Sequence, residues 1–274
     1  MKFGYQLGSG AIKQRESFAA SGKLNVLRFP VVYDPNSPSG FEGGQTTGSL
    51  EYCKAYGLIP HATFFNSDLS LYPADRVAFV TSFYQYVYDH YRDYPNIMAM
   101  TMEVGNERDA LMTFPVYCSL YAECSDGMER FKQAHPYGGK FRLGGAGATT
   151  GGWFTIAVML WAKQKGHIFD FASWHHGNYC TNKDLQEMID TVKRLDPKMP
   201  VFLTEVGYEL TNPTDQDRKD AEDWVTQLLW PDVEVFIWLL SGWDDPSDES
   251  GLWKSDGNRT GPGNIILNAL GYAQ

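Results

Sequence analysis

Two glutamates stand where apolar runs give way to polar loops. Met102-Glu103-Val104-Gly105-Asn106-Glu107 ends one run, and Phe202-Leu203-Thr204-Glu205-Val206-Gly207-Tyr208 ends another about a hundred residues later. A pair of carboxylates raised at the ends of separate strands is the minimum equipment for breaking a glycosidic bond. One must hold a proton near neutral pH, and the other must be ionised on the opposite side of the sugar.

The elements that would carry such a pair are legible as an alternation. Short β-rich runs occur at 2–7, 25–30, 58–64, 97–104, 141–144, 169–175, 201–205 and 233–239. Several are continuously apolar, the pattern of parallel strands covered by helices. Helical spacing lies between them at 49–56, 74–91, 153–165, 184–195, from 214 to about 229, and 263–270. Pro73 marks one helix entry, and Asp196-Pro197 one exit. Val77, Val80, Phe83, Tyr84 and Val87 follow helical spacing as a stripe that core packing explains better than binding. Eight strand–helix repeats predict a (β/α)8 TIM barrel formed as one domain over residues 1–274, with a doubly wound open sheet as the alternative. Two long loops rich in Gly, Pro and Ser, 31–48 and 241–262, follow strands two and eight. In a barrel both belong to the face on which active sites are built.

Composition narrows the partners. A formal net charge of −10 without a Lys/Arg run argues against nucleic acid and against an anionic membrane surface. Aromatics at 15% are abundant; core packing accounts for most of them, and the rest could line a cleft where ring faces stack on pyranose rings. No pair among Cys53, Cys118, Cys124 and Cys180 is spaced Cys-x-x-Cys, so a structural zinc is not expected. Cys118 and Cys124 could be bridged across a loop; reduced, buried thiols are the plainer expectation. The first residues read as a strand rather than a secretory leader, so the protein acts in the cell that makes it, has lost a leader, or is released by lysis. A monomer or weak homo-oligomer is expected.

Four segments in order carry a family resemblance. Glu103-Val104-Gly105-Asn106-Glu107 resembles Glu-x-Trp-Asn-Glu-Pro, and Leu143-Gly144-Gly145-Ala146 resembles a strand-five Gly-Gly-Pro segment. Phe169-Asp170-Phe171-Ala172-Ser173-Trp174-His175 resembles Asp-Phe-x-Ser-x-His, and Thr204-Glu205-Val206-Gly207 resembles Thr-Glu-x-Gly. These are signatures of the β-xylosidase and α-iduronidase family, within the large clan of retaining (β/α)8 glycoside hydrolases. The resemblance implies Glu107 as general acid/base, Glu205 as nucleophile, Asn106 on the sugar 2-hydroxyl, Arg28 as the charge partner of the nucleophile, and His175 near the sugar or the nucleophile. It also implies a strand-eight Trp, here Trp238, as the floor of the sugar site. Gly105 stands where the family has Trp, and Arg108 where it has Pro.

Other residues extend the candidate list. His61, at the end of strand three, is a cleft residue or a satisfied core histidine. Trp243 after strand eight, together with Tyr179, Trp153 and Trp253, could stack on sugars. His175-His176 could bind a metal, but no ligand falls at a spacing such as His-x-x-x-His; no metal and no cofactor are expected. Asp244-Asp245 and Asp248-Glu249 form an acidic loop that is more often a solvated face than a calcium site. The best competing signal is Gly144-Gly145-Ala146-Gly147-Ala148-Thr149-Thr150-Gly151-Gly152, which could cradle a phosphate, although its spacing is not Gly-x-Gly-x-x-Gly. Three readings therefore stand: a retaining glycosidase acting on β-linked oligo- or polysaccharides, a carbohydrate-binding barrel whose acid is silenced because Arg108 pairs with Glu107, and a nucleotide-dependent α/β enzyme.

Overall fold

The computed structural model describes residues 1–6, 12–41, 44–65, 68–136, 138–149, 152–177, 182–208, 210–226, 233–238, 247 and 249–272. The strands are β1 (Lys2–Gln6), β2 (Val26–Pro30), β3 (Ile59–Phe64), β4 (Thr101–Val104), β5 (Arg142–Gly144), β6 (Ala172–Gly177), β7 (Val201–Gly207) and β8 (Val235–Trp238). The helices are α1 (Ile12–Ala20), α2 (Gln45–Tyr56), α3 (Arg76–Tyr91), α4 (Phe114–Ala134), α5 (Gly152–Lys165), α6 (Asn182–Leu195), α7 (Asp215–Thr226) and α8 (Gly261–Ala269). Strand order is β5-β4-β3-β2-β1-β8-β7-β6, a helix follows each strand, and the fold is the expected (β/α)8 barrel. Among the described residues no helix is long and apolar enough to cross a membrane.

The chain divides into two compact units, Met1–Arg28 with His175–Gln274, and Phe29–Trp174. In the first, β1 pairs in parallel with β2 through Gly4↔Val26 and with β8 through Phe3↔Phe236. Gly4 is required there, because a Cβ would lie 2.7 Å from the Val26 carbonyl oxygen. Phe18 meets Trp253 and Tyr272 edge-on at 5.8 and 4.9 Å, which seats α1 against the segments just before and just after α8 in one core. Thr260 caps α8 by accepting the Gly263 N–H, with Pro262 in its first turn.

The second unit is built on β3 and β4, in register from His61↔Thr101 to Phe64↔Val104, and on β4 with β5. Asp75 caps α3 by accepting the Ala78 N–H. Val80, Phe83, Tyr84 and Val87 of the predicted stripe are buried and Val77 is half-buried, so the stripe is core with Val77 at its margin. Phe41 and Phe64 each meet Phe83, at 5.2 and 5.4 Å between ring centres.

Two helices lack a clear sequence signal. In α1 only Phe18 and Ala19 are buried among the side chains described, too few to mark a face. In α4 the apolar stripe is broken by Ser125 and Gly127. Gly127 sits where α3 crosses: a Cβ there would come within 2.8 Å of Val80, so the glycine that weakens the helical signal permits the packing. The predicted strand 97–104 is shorter than expected, since Ile97–Ala99 turns before β4 begins.

Candidate active site

In the first unit, Arg28 and Gln6 face each other in the β1–β2 register, and Gln6 Oε1 accepts from Arg28 Nη1 at 2.7 Å. The same Nη1 donates to Glu205 Oε1 in a charge-assisted hydrogen bond. His175 on β6 brings Nδ1 to 3.5 Å from Glu205 Oε2. The pairing of β7 with β8 slips between Leu203 and Val206, so Glu205 sits in an irregular stretch that re-aims its side chain. Arg28 and His175 are 3% and 2% exposed, whereas Glu205 is 15% exposed. A buried guanidinium that donates and a buried imidazole beside it thus flank a carboxylate that still reaches the surface.

In the second unit, Glu107 follows β4 with φ 53° and ψ 30°, a left-handed conformation that non-glycine residues rarely adopt. Its N–H donates to the Gly147 carbonyl at 2.8 Å. Asn106 and Glu107 are half-buried. Arg108 is buried and its Nε donates to the Phe65 carbonyl at 2.8 Å, joined by Nη2. Phe65, just past β3, also has a positive φ of 56°. Tyr117 from α4 donates its hydroxyl to the Val104 carbonyl at 2.6 Å. Burial, with the Glu103 charge next, pushes that phenol well above its ordinary range, so it stays a donor.

The buried hub of this unit was not expected. Glu103 is fully buried; its Oε1 accepts from the Ser173 hydroxyl and its Oε2 lies 3.5 Å from His61 Nε2. His61 Nδ1 meets Thr101 Oγ1 at 2.7 Å, which makes it a satisfied core histidine. The sequence signal for the hub is one carboxylate inside the apolar strand Thr101-Met102-Glu103-Val104. The glycine-rich loop has its explanation here. A Cβ at Gly145 would lie 2.8 Å from Glu103 Cγ, and one at Gly147 would lie 3.0 Å from Glu103 Cδ. The close approach these glycines permit is to a carboxylate, the opposite of a phosphate cradle.

The remaining candidates are dispersed. Trp238 is fully buried in β8 and its indole N–H donates to the Ser250 carbonyl at 3.0 Å. Trp253 is buried, and Trp153 is exposed. His176 points away from His175 and stacks on Trp224 of α7 at 5.3 Å. Glu249 is buried between Arg218 and Lys254 rather than solvated. Tyr179, Trp243, Asp244, Asp245 and Asp248 lie outside the described residues. On the loops after β2 and β3, a cleft of about 520 Å³ is lined by Val32, Tyr33, Pro35, Ser70, Leu71, Tyr72 and Pro73.

No protein-family model and no curated protein matches the sequence. Solved structures do match. A GH39 β-xylosidase from Caulobacter crescentus aligns over 97% of this chain and 71% of its own, at 16% identity and a TM-score of 0.73. A thermostable xylanase mutant from Cellvibrio japonicus aligns over 98% and 97%, at 11% identity and 0.73. A glucosidase from Croceicoccus marinus aligns over 97% and 67%, at 15% identity and 0.67. The likeness is one of fold. At such identity a shared barrel does not carry chemistry with it, so function rests on the side chains.

Proposed function

We propose that this chain is a retaining glycoside hydrolase that cleaves β-linked oligo- or polysaccharides, with Glu205 as nucleophile and Glu107 as acid/base. The observation that carries the reading is the Arg28–Glu205–His175 cluster. A carboxylate at the end of β7 accepts from an always-charged guanidinium while remaining partly accessible, which is what a carboxylate nucleophile requires. Further support comes from Glu107, held in an unusual backbone conformation at the end of β4, since such outliers concentrate at functional sites. Strand ends four and seven both belong to the catalytic face of a (β/α)8 barrel. The matching structures are a glucosidase, a β-xylosidase and a xylanase, in keeping with a glycosidase reading.

The reaction runs in two displacements. Glu205 attacks the anomeric carbon as the bond to the leaving oxygen breaks, and Glu107 gives that oxygen its proton. A glycosyl ester on Glu205 results. Glu107, now a carboxylate, takes a proton from water; the hydroxide attacks the same carbon and releases Glu205, so the configuration is retained. Arg28 and His175 stabilise the carboxylate before attack and as it leaves. Asn106 is assigned to the sugar 2-hydroxyl, and the cleft beside Tyr33 and Tyr72 to further sugar units. Acid/base assistance of this kind is worth about 10² to 10⁴-fold. The commitment of Arg108 to the Phe65 carbonyl weighs against a barrel whose acid is silenced by that arginine.

The test is reducing-sugar release from β-glucans, mannans, xylans, galactans and chitosan, with wild type beside Glu205→Gln. Release from one polymer that disappears in the variant supports the reading and names the substrate. Release that survives means Glu205 is structural, and silence of folded wild type on every polymer removes the reading.

A further inference from the structure

We propose that Glu103 is a positioning residue for Glu107, acting through the 145–147 loop; this rests on the reading of Glu107 as acid/base. A carboxylate with no exposed surface is costly to bury unless donors surround it, and this one has them in Ser173 and His61. Thr101 in turn holds the far nitrogen of His61. The four side chains come from β3, β4 and β6, and none is more than 3% exposed. No substrate reaches them. Their order of contact also excludes a nucleophile relay: the serine hydroxyl meets the carboxylate, whereas an activated serine must meet the imidazole.

What the cluster supports is the backbone above it. The loop enters from β5 with the Gly145 N–H donating to the Phe171 carbonyl at 3.0 Å. Gly145 and Gly147 have φ of 87° and 48°, and a Cβ at Gly145 would stand 2.4 Å from Ser173 Oγ as well as against Glu103. The bare glycine backbone therefore rests on the Glu103–Ser173 pair. From that loop the Gly147 carbonyl accepts the Glu107 N–H, and the Thr149 N–H and hydroxyl both donate to Asp109 Oδ1, at 3.1 and 3.2 Å. The turn that carries Glu107 hangs from the loop at both points, and the loop lies on Glu103. Displacing a catalytic group by about 1 Å can cost about 10²-fold in rate.

The experiment uses phenyl and 2,4-dinitrophenyl β-xylobiosides and β-cellobiosides. The dinitrophenolate departs without a proton, while the phenolate needs the acid. Glu107→Ala is measured first and is expected to lose kcat/KM on the phenyl substrate far more than on the dinitrophenyl one. Glu103→Gln is expected to show the same selective loss, about 10²-fold on the phenyl substrate, and to add little in the Glu107→Ala background. Equal loss on both leaving groups, or full additivity in the double variant, overturns the proposal and leaves Glu103 as a fold-holding residue. Should Glu103→Gln not fold by circular dichroism, Ser173→Ala decides, with a smaller selective loss expected and an unselective one overturning the idea. A Glu107→Ala variant without leaving-group selectivity instead overturns the assignment of Glu107.

Discussion

Arg108 fills the space that a side chain at position 105 would need: a Cβ on Gly105 would lie 2.4 Å from Arg108 Cγ. The two departures from the Glu-x-Trp-Asn-Glu-Pro pattern are therefore one structural change. The arginine stem lies over the glycine, and the guanidinium ties the turn after β4 to the Phe65 carbonyl beyond β3. Gly105→Ala meets this stem and also the cost of φ 75° for a side chain. The expected destabilisation is about 2–3 kcal/mol. Adding Arg108→Ala removes the clash but not the backbone cost, so the double variant should recover about 1 kcal/mol relative to the sum of the singles. Urea denaturation of the four proteins measures this, and strict additivity would show that the two residues are independent.

The Arg28–Glu205 pair predicts a second cycle. Arg28→Ala leaves a carboxylate without its guanidinium, and Glu205→Gln leaves a 3%-exposed cation without its anion. Removing one partner of a buried pair costs about 3–5 kcal/mol, and the accessible side of Glu205 places the effect toward the lower end. The double variant Arg28→Ala/Glu205→Gln should be more stable than the summed losses imply. Arg28→Lys keeps the charge but not the planar fork, and should retain the fold while cutting kcat/KM about 10-fold or more. Thermal melts and kinetics read the two effects separately; a melting point of Arg28→Ala equal to wild type would refute the pair as a structural element.

The sequence reveals strands more readily than what lies among them. All eight strands are legible as short β-rich runs, and several are continuously apolar because parallel strands covered by helices carry apolar side chains on both faces. Glu107 and Glu205 stand out because each ends such a run. The Glu103 hub does not, since its members are 42 and 70 residues apart along the chain and meet only through the β3–β4 register and the approach of Ser173. The glycine-rich loop shows the same limit. Its composition announces a close backbone approach, but only the fold reveals that the neighbour is a carboxylate. Glu249 misleads in the other direction: beside Asp248 it looks like a solvated face, yet it is buried against Arg218.

That burial gives a pH prediction. The hydrogen bonds from Arg218, then the Lys254 ammonium, outweigh desolvation and hold the Glu249 carboxyl below its ordinary value of 4.5. A depressed folded value means the stabilisation is fully present above the unfolded value and is lost as pH falls through the folded one. Glu249→Gln should therefore be less stable than wild type at pH 7 by about 1 kcal/mol, a low figure because Arg218 is 37% exposed and screened by solvent. The gap should close as the pH falls through and below 4.5. Guanidinium-independent melts at several pH values test it, and a gap unchanged in acid would show that charge is not the source.

The cysteines give the last prediction. Cys118 and Cys124 are both on α4, and Cys53 is on α2; all three are free and buried. Six helical positions separate Cys118 from Cys124, a rise of about 9 Å, beyond the roughly 7 Å that a disulfide can span between Cα atoms. Burial pushes the Cys118 thiol up to about 11 and raises Cys53 and Cys124 as well. At pH 8 a group titrating there is ionised in only about one molecule in 10³, and the thiolate is the reacting species. Iodoacetamide added to the native protein at pH 8 should thus leave these three cysteines unmodified for many minutes, while the same reagent in urea modifies all of them. Peptide mapping by mass spectrometry assigns each site. Rapid native labelling at Cys118 or Cys124 would mean that α4 does not pack as described, and with it the seat of Tyr117 beneath the turn that carries Glu107 would be lost.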